Sequence, residues 1–131
     1  MTYFWVAIGG ALGSTARYAM SLLVGALTSG SFPYGTLMVN VTGAILMGFF
    51  ATLSGPDSRF LIPVSGRLFM MTGICGGYTT FSTFSLETVN LMRNGRWGAA
   101  LANVGLSVLL CLGSIWVGHA GALLLNGARR A

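Results

Sequence analysis

Charged side chains are scarce in this chain of 131 residues. Lysine is absent, all seven basic residues are arginine, and Asp57 and Glu87 are the only acidic residues. Charged residues make up 7% of the chain, against about 25% in a soluble globular domain. With His119 as the sole histidine, metal-dependent or acid–base catalysis lacks ligands and proton carriers. We therefore exclude an enzyme, a disordered protein and, despite a pI near 10.0, a conventional nucleic-acid-binding protein.

The chain contains long uncharged stretches. Hydrophobic residues make up 54% of the chain, and the mean hydropathy is +0.78. Residues 18–56 and 68–86 carry no charge, and residues 97–128 carry only the titratable His119. Because a membrane-spanning helix needs about 20 mainly apolar residues, these runs indicate an all-α integral membrane protein. One four-helix transmembrane domain covering 1–131 is predicted, with spans at 3–26, 35–53, 67–91 and 98–124.

The arginines give only a weak preference for one orientation in the bilayer. Four spans place both termini on the same side, together with Arg59, Arg67, Arg129 and Arg130, and leave Arg93 and Arg96 on the other. This difference mildly favours cytoplasmic termini and is compatible with insertion in both orientations. Cys75 and Cys111 both lie inside spans, which predicts buried thiols rather than a disulfide.

The first span combines small residues with a charge. Gly9 and Gly13 are four residues apart, a spacing that lets helix backbones approach closely in lipid. Arg17 lies deep in this span or near its far end. Its guanidinium either extends to the interface or supplies positive charge at the mouth of an anion path. Since four helices leave little room for an ion path within one chain, an oligomer is expected.

A second polar cluster lies in the second span. Thr36, Asn40 and Gly43 share one helical face by their spacing. The Asn40 amide donates hydrogen bonds without carrying charge, which suits a site that must release its ion. The alternative interpretation is a hydrogen bond between helices that serves packing alone.

The third cluster, residues 73–85, contains the most specific pattern. Adjacent glycines and adjacent threonines form helices poorly, so we expect the third helix to break within residues 76–80. Backbone freed by a break at membrane depth must face protein, water or an ion. After the break, Phe81 and Phe84 share one face, and Thr80 and Thr83 form a hydroxyl stripe beside them. The edge of an aromatic ring is electropositive and can contact a small anion. A pair of core phenylalanines is the alternative interpretation.

These clusters together resemble the small bacterial fluoride channels of the CrcB or Fluc family over essentially the whole chain. The segments that carry the resemblance are Gly9–Tyr18, Gly35–Gly43 and Gly73–Phe84, and within the last the run 76–84 is the most specific. The resemblance implies a passive, fluoride-selective channel in the bacterial inner membrane that lowers cytoplasmic fluoride. It also implies an antiparallel, dual-topology homodimer with two pores, embedded in the lipid bilayer.

The resemblance further implies roles for individual residues. Phe81 and Phe84 would surround fluoride, Asn40 would be the pore amide, and Arg17 matches an arginine of the family's first helix. Thr80, Thr83 and Ser107 would add hydroxyls along the path. Backbone carbonyls of Gly76 and Thr79 would hold a structural sodium ion at the dimer axis. Two rival classes are a small multidrug exporter and an assembly subunit without transport. The exporter needs a membrane-embedded carboxylate, and Arg17 in the first span with no acid before Asp57 strongly disfavours it.

Overall fold

The structure, a computed structural model, describes residues 1–56, 58 and 60–127, and it is all-helical over those residues. The third predicted span is divided into two helices, α3 and α4, so that four helical rods are present, as predicted. The helices are α1 (Thr2–Leu27), α2 (Tyr34–Leu53), α3 (residues 64–78), α4 (Phe81–Arg93) and α5 (Trp97–Gly127). Asp57, Arg59, Arg129 and Arg130, which enter the orientation argument, lie outside the described residues.

Two of the helices, α2 and α5, are long and apolar enough by themselves to cross a bilayer. The other two rods do not combine the same length and hydropathy. Helix α1 carries Arg17 and several hydroxyl residues, whereas the third rod is interrupted, which leaves α4 with only 13 residues.

Glycines bring the backbones of α1 and α3 into direct contact. A Cβ atom at Gly9 would lie 2.6 Å from the Phe69 carbonyl oxygen, and one at Gly77 would lie 2.7 Å from the Gly10 carbonyl oxygen. Gly13 packs in the same way against the Ile74 carbonyl. The packing role expected for the small residues of the first span is therefore confirmed within the chain.

A second extensive interface joins α2 to α5. Gly48 on α2 faces the Ile115 backbone, and Gly118 on α5 faces the Ile45 backbone, each with no room for a Cβ atom. The two apolar helices therefore pack at backbone distance, and α4 packs against this pair.

The break in the third rod is narrower than residues 76–80. Leu68–Cys75 form a π-helix and Gly76–Tyr78 continue as helix, whereas Thr79 (ψ 156°) and Thr80 (φ −149°, ψ 114°) are extended. The break is confirmed, but the two glycines do not cause it directly. Gly77 is needed for the contact with α1, and the extended backbone falls on the β-branched threonines, which suit that conformation.

Candidate functional site

The side chain of Asn40 bridges the break in the third rod. Its Nδ2 donates to the Thr80 carbonyl oxygen at 3.0 Å, and its Oδ1 accepts from the Thr80 backbone N–H at 2.8 Å. One amide group thus pairs both main-chain groups of the same extended residue. Because an asparagine NH₂ has two donors, one N–H stays available for another acceptor.

The break also redirects hydrogen bonds that a continuous helix would make. In such a helix, the Thr80 N–H would donate to the Gly76 carbonyl and the Thr83 N–H to the Thr79 carbonyl. Instead, the Thr80 N–H donates to Asn40, and the Thr83 N–H donates to the Thr80 hydroxyl oxygen at 3.2 Å, which caps α4. The carbonyls of Gly76 and Thr79 therefore both lose their helical donors.

An open groove runs beside the break between α2, α4 and α5. One part, with a volume of about 260 Å³, is lined by Asn40, Phe81, Phe84 and Ser107, and its apolar wall consists of Val108, Cys111 and Leu112. An adjoining pocket extends past the break along Thr79 and Thr80 and shares Asn40 and Phe81 with the first. The structure thus brings four of the predicted site residues together in one wall.

The polar and aromatic groups of the groove differ in exposure. The rings of Phe81 and Phe84 lie 5.4 Å apart, centroid to centroid, and are tilted by 46°. Phe84 is buried, whereas Phe81 is 79% exposed on the surface of the chain. The Ser107 hydroxyl oxygen is buried and has no hydrogen-bond partner among the described residues. The groove therefore combines ring edges with a free hydroxyl and a free amide N–H.

Two residues of the predicted fluoride pathway lie outside the walls of this groove. Thr83 is exposed, and its hydroxyl oxygen accepts from the Thr80 hydroxyl at 3.0 Å. Arg17 is half-buried on α1, which packs against α2 and α3, and no described side chain makes a hydrogen bond to it. The roles assigned to these two residues stay predictions.

The sequence analysis missed a second polar contact of α2. The Thr36 hydroxyl donates to Glu87 Oε1 at 2.9 Å, and Glu87 Oε2 is buried without a partner in the described chain. Together with Asn40 at Thr80 and Gly43 against Thr79, this contact means that all three residues on the predicted polar face of α2 meet the third rod. Spacing identified the face, and the position of Glu87 as the only acid in a predicted span was the signal that could have pointed to its partner.

The chemistry available in this part of the molecule is that of neutral donors and carbonyls. No group of three His, Cys, Asp or Glu side chains is arranged to hold a metal within residues 1–56, 58 and 60–127. The amide, hydroxyl and ring-edge groups of the groove are of a kind that can contact an anion.

The fold and the groove define a helical membrane protein with a polar and aromatic surface at a broken helix. The chain belongs to the CrcB family: the family model described as "CrcB-like protein, Camphor Resistance (CrcB)" matches residues 4–119. A Rhodospirillum rubrum relative, named fluoride-specific ion channel FluC, is 56% identical over 96% of this chain and 98% of its own. Relatives of the same name from Opitutus terrae and Methylocella silvestris are 52% and 48% identical, over 97% and 100% of this chain and 96% and 100% of their own.

Proposed function

We propose that this protein is a fluoride-selective passive ion channel that lets fluoride leave the cytoplasm. The observation that carries the proposal is the groove at the helix break, in which the Asn40 amide, the Phe81 and Phe84 rings and the Ser107 hydroxyl line one wall. Its relatives, named as fluoride channels over nearly their full length, support the same ion. The family is one of channels and not of enzymes.

The energetics of fluoride export require no coupled fuel. Neutral hydrogen fluoride crosses lipid and ionises inside the cell, and an inside-negative potential drives the anion outward by about 2.3 kcal/mol per 100 mV. A passive pathway only has to lower the cost of dehydrating fluoride. Neutral donors and ring edges do so without binding the ion as tightly as a full positive charge would.

Flux through purified protein in liposomes tests the function directly. Vesicles loaded with potassium fluoride are made permeable to potassium with valinomycin, and fluoride release is followed with a fluoride electrode. We expect release from protein-containing vesicles and none from empty ones, with little chloride release under the same conditions. Electroneutral release of cationic dyes instead would favour the exporter, and no flux from folded protein would favour the assembly subunit.

The proposal includes a membrane-embedded homodimer with the two subunits inverted. The groove lies open on the surface of one chain, and Phe81 is 79% exposed there, so that a second chain is needed to close a path around it. The arginine bias is too weak to prevent insertion in both orientations. Four crossings of the bacterial inner membrane per chain follow from the four helical rods, two of which are apolar enough alone.

A structural sodium ion at the dimer axis is part of the same proposal. The carbonyls of Gly76 and Thr79 lack their helical donors, and Gly76 is exposed on the surface of the chain. A two-fold partner would bring the same two carbonyls from its own chain, and unpaired carbonyls at membrane depth are costly unless an ion or donor meets them. A hard monovalent cation would supply positive potential beside the anion paths.

The sodium site is tested by exchange and by matched substitutions. Replacement of sodium by a large organic cation on both sides should slowly reduce fluoride flux. Thr79→Ser should be mild because the ligand is a backbone carbonyl. Unchanged flux after prolonged sodium removal, checked by elemental analysis of the protein, would remove the sodium from the proposal without affecting the channel function.

A further inference from the structure

A buried hydroxyl links α4 to α5 one turn beyond Phe84. The Asn103 Nδ2 donates to the Thr88 hydroxyl oxygen at 2.9 Å, and the Thr88 hydroxyl donates to the Phe84 carbonyl oxygen at 2.8 Å. The directions of both bonds are fixed, because an amide nitrogen can only donate and a carbonyl oxygen can only accept. The two bonds therefore form a relay from α5 to the backbone of Phe84.

The two side chains of the relay are buried within the chain. Asn103 is 1% exposed and Thr88 is buried, and theirs is the only hydrogen bond between side chains of α4 and α5, both of which are described throughout. Apolar contacts between two helices do not by themselves fix one rotation or axial position, because hydrophobic attraction is non-directional. A buried, directional bond supplies what they lack.

The same two helices each contribute lining residues to the groove. Phe84 precedes Thr88 by one turn on α4, and Ser107 follows Asn103 by one turn on α5. A change in the position of α4 relative to α5 would therefore move the Phe84 ring relative to the Ser107 hydroxyl. The spacing of these two groups decides whether a small anion touches both at once.

We propose that Asn103 and Thr88 are positioning residues that hold the Phe84 ring at the distance from Ser107 that suits fluoride rather than a larger halide. The inference rests on the proposed function, because it assigns the relay to the selectivity of that same groove. Neither residue needs to touch the ion. Their effect is exerted through the backbone carbonyl of Phe84.

Isosteric substitutions separate this role from packing. Thr88→Val removes the hydroxyl and keeps the shape, and Asn103→Leu removes the donor. We expect each to lower the ratio of fluoride to chloride flux in liposomes by about fivefold, the order of one hydrogen bond. Thr88→Ser retains the hydroxyl and should restore the ratio. Thr28→Val removes a similar bond to a backbone carbonyl, at the exposed end of α1, and should change nothing.

A double-mutant cycle identifies the group on which the relay acts. If it acts through the Phe84 ring, Thr88→Val should have no further effect on the ratio in a Phe84→Ile background. A wild-type ratio in folded Thr88→Val and Asn103→Leu dimers would overturn the relay, and so would additive effects in the cycle. If Thr88→Val does not fold, the same comparison is made with Asn103→Leu. A wild-type ratio in Phe84→Ile itself would instead refute the aromatic assignment, which is a distinct result.

Discussion

Replacement of Asn40 by aspartate or leucine separates two properties of the wild-type amide, namely its hydrogen bonds to Thr80 and its lack of charge in the groove. In Asn40→Asp, one carboxylate oxygen can still accept from the Thr80 N–H, but the other meets the Thr80 carbonyl oxygen where a 3.0 Å hydrogen bond stood. The change loses one bond, creates a repulsive contact and places a negative charge in the groove. In Asn40→Leu, both bonds are lost but no charge is added.

The expected magnitudes of the two effects differ. A unit charge about 4 Å from fluoride costs about 4 kcal/mol at an effective dielectric constant of 20. That cost corresponds to about a thousandfold lower flux, since 1.4 kcal/mol is a factor of ten. Asn40→Leu leaves the buried N–H and carbonyl of Thr80 without this partner, at about 1–3 kcal/mol each. We therefore expect Asn40→Asp to be the more severe in flux, and Asn40→Leu to lose thermal stability without the added charge.

Both quantities can be measured on the same protein preparations. Fluoride efflux from liposomes gives the flux, and thermal unfolding in detergent, with size-exclusion chromatography, gives stability and dimer content. Wild-type flux in Asn40→Asp would show that Asn40 does not face the ion path. An unchanged melting temperature in Asn40→Leu would refute the stabilising role of the bridge to Thr80.

Three further predictions concern the rings, the orientation and the dimer axis. Phe81→Ile or Phe84→Ile should reduce fluoride flux by about tenfold, because ring-edge contacts worth about 1 kcal/mol or more are lost; near-normal flux in intact dimers would contradict the assignment. A single cysteine introduced in the 93–96 loop should be labelled from both sides of intact membranes, and labelling from one side only would exclude inverted subunits. Gly76→Leu should weaken dimerisation without disrupting the chain, since the Met71 carbonyl oxygen, the nearest atom beyond its local helical backbone, lies 3.6 Å from its Cβ position. Gly77→Leu collides with Gly10 and should prevent folding. If the two variants fold and dimerise to the same extent, Gly76 does not lie against a partner.

The features predicted correctly from the sequence are those that depend on local composition. The ends of the helices lie within a few residues of the predicted spans, because an apolar run bounded by turn residues is a property of consecutive positions. The break lay within the predicted window because the β-branched threonines favour an extended backbone at their own positions. The polar face of α2 was visible because helical periodicity places Thr36, Asn40 and Gly43 together.

The features that could not be predicted are pairings between distant segments. Asn40 and Thr80 are 40 positions apart, and nothing in the sequence indicates that one amide serves both main-chain groups of that threonine. The link between Asn103 and Thr88 was missed for the same reason. The role of Gly77 depends on Gly10 of α1, so propensity alone assigned to the break a residue that the packing keeps in a helix.

The distribution of charge in the chain suits an ion that must pass rather than stay. The side-chain donors that line the groove, Asn40, Thr80 and Ser107, are all neutral, and the described arginines lie outside its walls. A channel needs binding strong enough to replace water and weak enough to release the ion, and a buried guanidinium would favour retention. A neutral donor attracts an anion less strongly than a charged group does. Each neutral donor must therefore be held in a fixed position. The bonds of Asn40 to Thr80, and of Thr88 to Phe84, meet that requirement by tying the groups of the groove to the backbone at the break and just after it.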